Sequence, residues 1–589
     1  MFPPNYRDHI WSQLSRPWDI IVIGGGITGA GILREATRLR LRVLLVEQRD
    51  FAWGTSSRSS KLVHGGLRYL KEGRVRLTRA AVRERERLLD EGAGLIDPLG
   101  FLLATYKGDR PGRWTYSAGL TIYDLLALQW SHRRYSAEDF RMLAPHIAAD
   151  RLKGGFRYGD AQTDDARLVL RVIQEAVAAG GAALNYVCAE TVLCTAGQAT
   201  GVRLRDRVTD RIAEASGRVI VNATGAWADR LRMQVGAKSR IRPLRGSHLI
   251  FPARRLPIAQ AISFLHPLDR RPVFIFPWEG IVLVGTTDVD CDGRFDDGLA
   301  CLDAEPAISP DEAAYLMAAV EAEFPALGLA LDDVTATFAG VRPVIGTGKA
   351  DPSREARDHV VWEENGLLTV TGGKLTTFRR IALDALKAIR HRWPELPKPN
   401  GKLPVLEPVD VALPGAEALS ENQRRRLLGR CGAAAPALVA AARPGELAPI
   451  AGTPALWAEV RWAARAEGVV HLDDLLLRRV RLGLLLPGGG EAILPAVRAI
   501  CQQELGWDDD RWEAERATYL ALWRRCYSLP DRDAVPDWRP WLAAAQSRRL
   551  ATRVTRRRRF ARWSAAAARR VGHAALALGR WAWRRRRRR

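Results

Sequence analysis

The chain of 589 residues lacks any uninterrupted apolar run of the roughly 18 residues that a membrane-spanning helix needs. Its seven cysteines are odd in number and form no C-x-x-C pair, which argues against a disulfide framework or a zinc site and fits a reducing cytoplasm. Lysine is scarce, 10 of the 90 basic residues, so arginine carries the positive charge; with the Ala-rich runs this indicates a GC-rich coding bias. Hydrophobic residues at 47% and charged residues at 26% are ordinary for a water-soluble globular chain and exclude global disorder and a polytopic membrane protein. At roughly 100 to 200 residues per domain, about three or four domains are expected. Of the net charge of +24, residues 548 to 589 supply 17 through arginine alone, with no Lys, Asp or Glu, so the body is only mildly basic.

The first apolar stretch, Ile20 to Leu33, has the length of a signal-peptide core, but it is rich in glycine and follows the acidic Asp19. It reads instead as a folded strand and turn. Asp19 to Ile23 is a β-branched run, Gly24 to Gly29 follows, Ala30 to Arg40 is helical in pattern, and Leu41 to Glu47 is a second buried strand. This is a βαβ unit opening a parallel sheet. From Arg83 to about Ala149 the pattern reads as mostly helical, and Leu244 to Asp288 alternates short apolar strands with Pro and Gly turns, as in an antiparallel sheet. Leu367 to Val370 is a further short strand before Thr371-Gly372-Gly373-Lys374 and another helix, so the nucleotide domain is expected to be assembled from distant segments. Pro397 to Pro414, with five prolines, reads as a linker, and about 420 to 529 as helix.

Gly24, Gly26 and Gly29 form G-x-G-x-x-G between strand and helix, where glycine permits the tight turn and lets backbone N–H groups approach a pyrophosphate. Glu47 ends the next strand, 23 residues after Gly24, where a carboxylate can accept both ribose hydroxyls of an adenosine. Further motifs follow in order: TSSRSSKLVHGGLRYL from Thr55 to Leu70, NATGAWAD from Asn222 to Asp229, RGSHLIFP from Arg245 to Pro252, GTTD from Gly285 to Asp288, GVRP from Gly340 to Pro343, and TGGKLTTFR from Thr371 to Arg379. Taken together they resemble the FAD-dependent glycerol-3-phosphate dehydrogenases, the respiratory type that feeds quinone. The resemblance covers about residues 15 to 530, and HGGLRYL, RGSH and GGKLTT carry it most specifically. In TGGKLTTFR, two glycines before a helix let its positive end and N–H groups face the flavin N1–C2=O edge, where negative charge accumulates on reduction.

The resemblance implies an α/β fold. A Rossmann-like FAD domain of the glutathione-reductase or D-amino-acid-oxidase type is expected from residues 1–95, 150–240 and 340–396. An antiparallel-sheet substrate domain takes residues 96–149 and 241–339, a helical domain residues 397–530, and an Arg-rich tail residues 531–589. It implies non-covalent FAD held by Gly24, Gly25, Gly26, Thr28, Gly29, Glu47, Thr55, Ser56, Ser60, Leu62, His64, Thr224, Gly225, Trp227, Gly373, Lys374, Leu375 and Thr376. It places His248 and Arg342 beside the substrate carbinol as catalytic residues, with Arg68, Tyr69, Thr287 and Lys374 binding substrate. Judged alone, His248 on an apolar strand is a core histidine, and any one of 80 arginines is a structural one; the motif match reverses both readings.

Asp288-x-Asp290-x-Asp292-Gly293 mimics the start of an EF-hand loop, but Leu299 stands where its Glu belongs and a strand precedes it, so calcium is rejected and no metal is expected. Asp473-Asp474 and Arg478 to Gly483 resemble the signature of the family's C-terminal domain, where the charges are expected to fix interdomain packing. In the tail, Phe560, Trp563, Ala567, Val571, Ala574, Leu578 and Trp581 share one helical face, with Arg558, Arg562, Arg569 and Arg580 opposite. Such a helix can lie in an anionic bilayer interface; a disordered extension is the plain alternative, and nucleic acid is disfavoured because no nucleic-acid fold accompanies the arginines. The expected partners are glycerol 3-phosphate, a membrane quinone and an anionic membrane surface, at the inner face of the cell membrane, with a homodimer left open. An oxidase using oxygen, a flavin enzyme for another hydroxy acid or amine, and a non-catalytic FAD scaffold are the alternatives.

Overall fold

The computed structural model describes residues 2–3, 5–67, 75–108, 113–127, 131–291, 302–346 and 358–547. Arg68, Tyr69, Asp292, Gly293 and the basic tail from residue 548 lie outside the described residues. The strand Trp18–Ile23 is central in a parallel sheet, flanked by Ile212–Asn222 on one side and Val43–Val46 on the other. Leu367–Gly372 and Ala182–Leu184 extend the sheet outward in parallel, and His359–Glu364 closes one edge as an antiparallel hairpin. A core strand must bury both faces, which is why these segments read as continuous apolar runs. Ile20 and Val22 pack beneath the helices Ile27–Arg38, Asp165–Ala178 and Phe378–Arg392, while Ile21 and Ile23 face the antiparallel ribbon Val187–Thr195 and Gln198–Asp206.

A second sheet, antiparallel throughout most of its extent, is built around Ile241–Pro252, which pairs with both Ile281–Gly285 and Ala336–Ile345. Pro272–Trp278 and Ala261–Leu265 continue it to Ile96–Tyr106 and Leu152–Thr163. The strand Ile96–Tyr106 lies inside the segment expected to be mostly helical. Its run FLLA buries Phe101 toward one core and Leu102 toward the other, and a short apolar run buried on both faces carries no period that separates strand from helix. Three strands lying within segments assigned to the nucleotide domain, Leu62–Val63, Leu152–Thr163 and the end of Ala336–Ile345, also pair here, and Leu62, Phe156 and Tyr158 join the core on this sheet. The helix Pro310–Glu323, opened by a Ser309–Glu312 capping box, covers the opposite face.

Residues 397–414 run without helix or strand, but Val405 and Leu406 are buried against the nucleotide domain, so this segment is a docked connection. Beyond it, helices including Glu421–Cys431, Trp457–Ala466, Leu494–Leu505 and Asp509–Cys526 form the C-terminal domain. Its seam with the nucleotide domain is ionic. Asp50, fully buried, accepts from Arg478 Nε at 2.6 Å and from Arg479 Nη1 and Nη2 at 2.6 and 2.8 Å. Arg481 donates to Asp165 Oδ1 at 2.9 Å, and Arg167 pairs with Glu467 at 2.5 Å. No helix among the described residues is long and apolar enough to cross a membrane.

Candidate active site

The turn from Gly24 to Gly29 is dictated by lack of space. Gly24 has φ +116°, and a Cβ there would lie 2.5 Å from the Ala223 carbonyl oxygen; a Cβ on Gly29 would lie 1.9 Å from the Gly24 oxygen. Helix Ile27–Arg38 therefore begins tight against the sheet, with Gly26 as a cap residue that carries no capping side chain. Ser56 Oγ accepts from Ile27 N at 3.0 Å and ties the Thr55–Ser57 turn to this helix start, and Thr28 stands in its first turn. Glu47 is half-buried, its carboxylate oriented by Gly25 N at 2.7 Å and Arg49 N at 3.0 Å. Burial raises its pKa, and those two N–H groups work against the rise. On the neighbouring strand end, Thr224 Oγ1 donates to Asn222 Oδ1 at 2.7 Å, Gly225 takes φ +60°, and Trp227 packs beside Gly54. A glycine turn at a helix start, an oriented acid on the next strand and a small-residue strand end together fit the pyrophosphate and adenosine ribose of a dinucleotide.

Beyond this turn, a cavity of about 1,710 Å³ opens along the second sheet, bordered by the turn that follows the strand Leu367–Gly372. Its wall on the nucleotide side includes Thr55, Ser60, Leu62, His64 and Gly373 to Thr376. Gly372 and Gly373 both sit at positive φ, +78° and +79°, and turn the chain into the Leu375–Thr377 turn and the helix Phe378–Arg392, while Thr376 Oγ1 donates to the His64 carbonyl at 3.2 Å. The opposite wall carries Thr286, Thr287, Asp288 and Arg342. Arg342 donates to Thr286 Oγ1 at 2.9 Å, to the Thr287 carbonyl at 3.2 Å and to Asp288 Oδ1 at 3.1 Å. The Thr287 hydroxyl is committed elsewhere, donating to Glu312 Oε1 at 2.6 Å and accepting from Ser247 N at 2.8 Å, so Thr287 serves this wall mainly through its carbonyl. Thus Arg342, Thr287 and Lys374, collected from three distant motifs, face one space.

His248 stands apart from them. It is 1% exposed and absent from the cavity wall, its ring stacked on Phe338 with centroids 4.5 Å apart. Its Nε2 lies 2.9 Å from Ser60 Oγ, and Ser60 does face the cavity. Burial first, and then the charges of Arg342 and Lys61, hold His248 well below the usual imidazole range, so the ring is neutral near pH 7.

Three features escape a motif reading. Gly246, the glycine of RGSH, would place a Cβ 2.3 Å from Arg342 Nη2, so its role is to make room for that guanidinium. Asp165 holds the Ser57–Lys61 turn, accepting from Ser59 N at 2.9 Å, Ser59 Oγ at 2.7 Å and Lys61 Nζ at 3.0 Å. Asp160 accepts at Oδ1 from Gly65 N at 3.0 Å, Tyr123 OH at 2.9 Å and Arg85 Nη1 at 2.6 Å, binding the His64-Gly65-Gly66 loop to two helices. Only the glycine stood within one of the quoted motifs; all three act on partners some 40 to 110 residues away.

Residues 19–379 match the family model of FAD dependent oxidoreductases, and residues 399–512 match that of the C-terminal domain of alpha-glycerophosphate oxidase. The aerobic glycerol-3-phosphate dehydrogenase of Bacillus subtilis is 37% identical over 396 residues, 66% of this chain and 70% of the relative; that of Staphylococcus aureus is 36% identical over 394 residues, 66% and 69%. The crystal structure of the glycerol-3-phosphate dehydrogenase from Bacillus halodurans complexed with FAD superposes with a TM-score of 0.70 at 28% identity, covering 89% of this chain and 98% of that one.

Proposed function

Because the chain belongs to the FAD-dependent oxidoreductases, and within them to the aerobic glycerol-3-phosphate dehydrogenase family, we propose that it oxidises sn-glycerol 3-phosphate to dihydroxyacetone phosphate and passes the electrons to a membrane quinone. The observation that carries this reading is the meeting of Arg342, Lys374 and the Thr286–Asp288 strand end in one cavity beside a dinucleotide-shaped turn. FAD, which Gly24 to Gly29, Glu47, Thr55, Ser56, Thr224 and Gly373 to Thr376 would hold, supplies a two-electron acceptor. Arg342 is braced on three oxygens, and its cationic charge favours the alkoxide that develops as the secondary hydroxyl loses its proton. Lys374 adds positive charge for the phosphate or for the flavin edge. Arg68 and Tyr69 are proposed for the phosphate site on the family motif alone. His248, neutral, accepts the hydroxyl proton through Ser60, a residue of the cavity wall whose Oγ is bonded to Nε2.

The test is to add glycerol 3-phosphate anaerobically to the purified yellow protein. Bleaching of the flavin absorption band is expected, and a band that stays unchanged with glycerol 3-phosphate but bleaches with a hydroxy acid or amine overturns the substrate. For the surroundings of the enzyme, the apolar stripe from Phe560 to Trp581, with arginines on the opposite helical face, supports peripheral binding to an anionic membrane. Deleting residues 548 to 589 should weaken binding to anionic vesicles, more so at low salt, while leaving reduction of a soluble dye unchanged. Equal vesicle binding by both forms removes the tail from this proposal.

A further inference from the structure

Residues 302–308 carry no secondary structure of functional note and no motif, yet they cross the molecule at a consequential place. In an open parallel sheet, a dinucleotide lies outside the carboxyl ends of the strands. Here those ends are marked by Thr224 to Trp227 after one strand, Gly24 to Gly29 after the central strand, and Glu47 to Trp53 after the third. The 302–308 segment is tied to both outer ends, between which the central strand lies in the sheet order. On one side, the Leu302 carbonyl accepts from Trp227 Nε1 at 3.2 Å, and Asp303 pairs with Arg230 at 2.5 Å. On the other, the Asp303 carbonyl accepts from Arg49 Nη2 at 3.2 Å, and Glu305 Oε2 accepts from Trp53 Nε1 at 3.2 Å.

The two ends of the segment are sunk in apolar surroundings: Leu302 packs with Ala226 and Val341, and Ile308 with the core beneath the helix Pro310–Glu323. Between them, one carboxylate is buried. The Glu305 side chain is 4% exposed, pairs with the equally buried Arg58 and accepts from Tyr527 OH at 2.6 Å, while its carbonyl receives Cys526 Sγ at 3.5 Å. Glu305 thus joins the 302–308 segment to the Trp53–Arg58 loop of the nucleotide site and to the last residues of the Asp509–Cys526 helix and beyond.

We propose that residues 302–308 form a strap across the FAD crevice, an added element of the cofactor site, and that Glu305 is the pin that keeps it shut. Release of the dinucleotide requires the strap to detach, so its rate scales with the small population of detached strap. The inference rests on the FAD assignment and not on the substrate; its test contains no substrate, so its failure leaves the substrate reading intact, and flavin bleaching in the wild type tests that reading separately.

The experiment measures FAD release from the purified holoenzyme, by the activity regained by an excess of an unrelated FAD-dependent apoenzyme that captures the released cofactor. Glu305→Gln removes the charge from the pin and should speed release roughly tenfold or more, the effect of losing a charged hydrogen bond. Tyr527→Phe deletes one of its bonds and should speed release by a smaller factor. It also keeps the question open to refutation if Glu305→Gln does not fold, because Arg58 would lose its counter-charge. The urea midpoint of each apoprotein is measured alongside. Faster release with an unmoved midpoint is the expected result. Release at the wild-type rate in both variants, or acceleration only in proportion to a lowered midpoint, overturns the strap.

Discussion

A single methyl group added at Gly246 separates packing from chemistry at this site. Gly246 pairs with Gly340 across the Ile241–Pro252 and Ala336–Ile345 strands, and Arg342 stands two residues further along on the same face, a diagonal neighbour. In Gly246→Ala, the new Cβ would lie 2.3, 2.5 and 2.6 Å from Nη2, Nη1 and Cζ of Arg342. The obstructed atoms are the far end of a flexible side chain at the edge of a cavity, so the guanidinium can swing aside without forcing the backbone. The fold and FAD content should therefore be retained, with a change in stability on the order of 1 kcal/mol or less. What is lost is the position of the charge: the bonds to Thr286, Thr287 and Asp288 cannot all survive. A charged hydrogen bond contributes about 1.5–3 kcal/mol, which corresponds to roughly tenfold to a hundredfold or more in rate. Anaerobic stopped-flow of flavin reduction by glycerol 3-phosphate should slow by that factor, and Arg342→Ala should slow it at least as much, with the double variant no worse than Arg342→Ala alone. A Gly246→Ala enzyme within twofold of wild type would show that Arg342 is not placed by this contact, and additive effects in the double variant would show that the two residues act separately.

Asp50→Asn should destabilise the protein by about 3–5 kcal/mol in urea denaturation, because Arg478 and Arg479 would remain buried without their counter-charge; a loss below about 1 kcal/mol would deny that seam its structural role. Lys61, pushed down to about 8 by burial and by Arg481, holds its proton less tightly folded than unfolded, so the unfolded chain carries more protons between about 8 and its ordinary 10.5. Stability should therefore rise with pH across that window and lose this rise in Lys61→Met, as read from unfolding midpoints at stepped pH. His248→Asn and Ser60→Ala should each keep FAD yet slow flavin reduction by roughly a hundredfold if the proton travels through Ser60 to the ring. A Ser60→Ala enzyme that reduces at the wild-type rate while His248→Asn does not would give the histidine a direct contact with substrate.

What could be read from the sequence was what acts locally. Gly24 and Gly29 are required by clashes with backbone a few residues away or on the adjoining strand, and the β-branched run before them and Glu47 after the next strand lie within the same unit. The same holds for Gly372 and Gly373, whose positive φ values serve the helix they precede. The strand Ile96–Tyr106 was not legible, because apolar residues buried on both sides of a sheet show no alternation. Nor was the retreat of His248 behind Ser60: a motif reports that a histidine and a serine are present, and the 2.9 Å between residues 188 positions apart arises from how distant segments of one sheet fold together. The ionic seam was anticipated as packing from the charges around Arg478, but its partner Asp50 lies 428 residues away and left no signal there.

The order of strands in the parallel sheet also bears on how the protein is made. The central strand Trp18–Ile23 leaves the ribosome before the rest of its sheet, but one immediate neighbour is Ile212–Asn222, and the strand beyond that is Leu367–Gly372. The helix Phe378–Arg392, which packs against Gly31 of the helix Ile27–Arg38, comes later still. Closing such long loops costs entropy before any contact rewards it, and a half-made parallel sheet exposes unpaired edges. Nascent chains that end before Arg392 thus hold an open-edged sheet and an incomplete flavin-side wall, so cofactor capture during synthesis waits for the Phe378–Arg392 helix, and the folding intermediates most prone to aggregate are the ones that precede it.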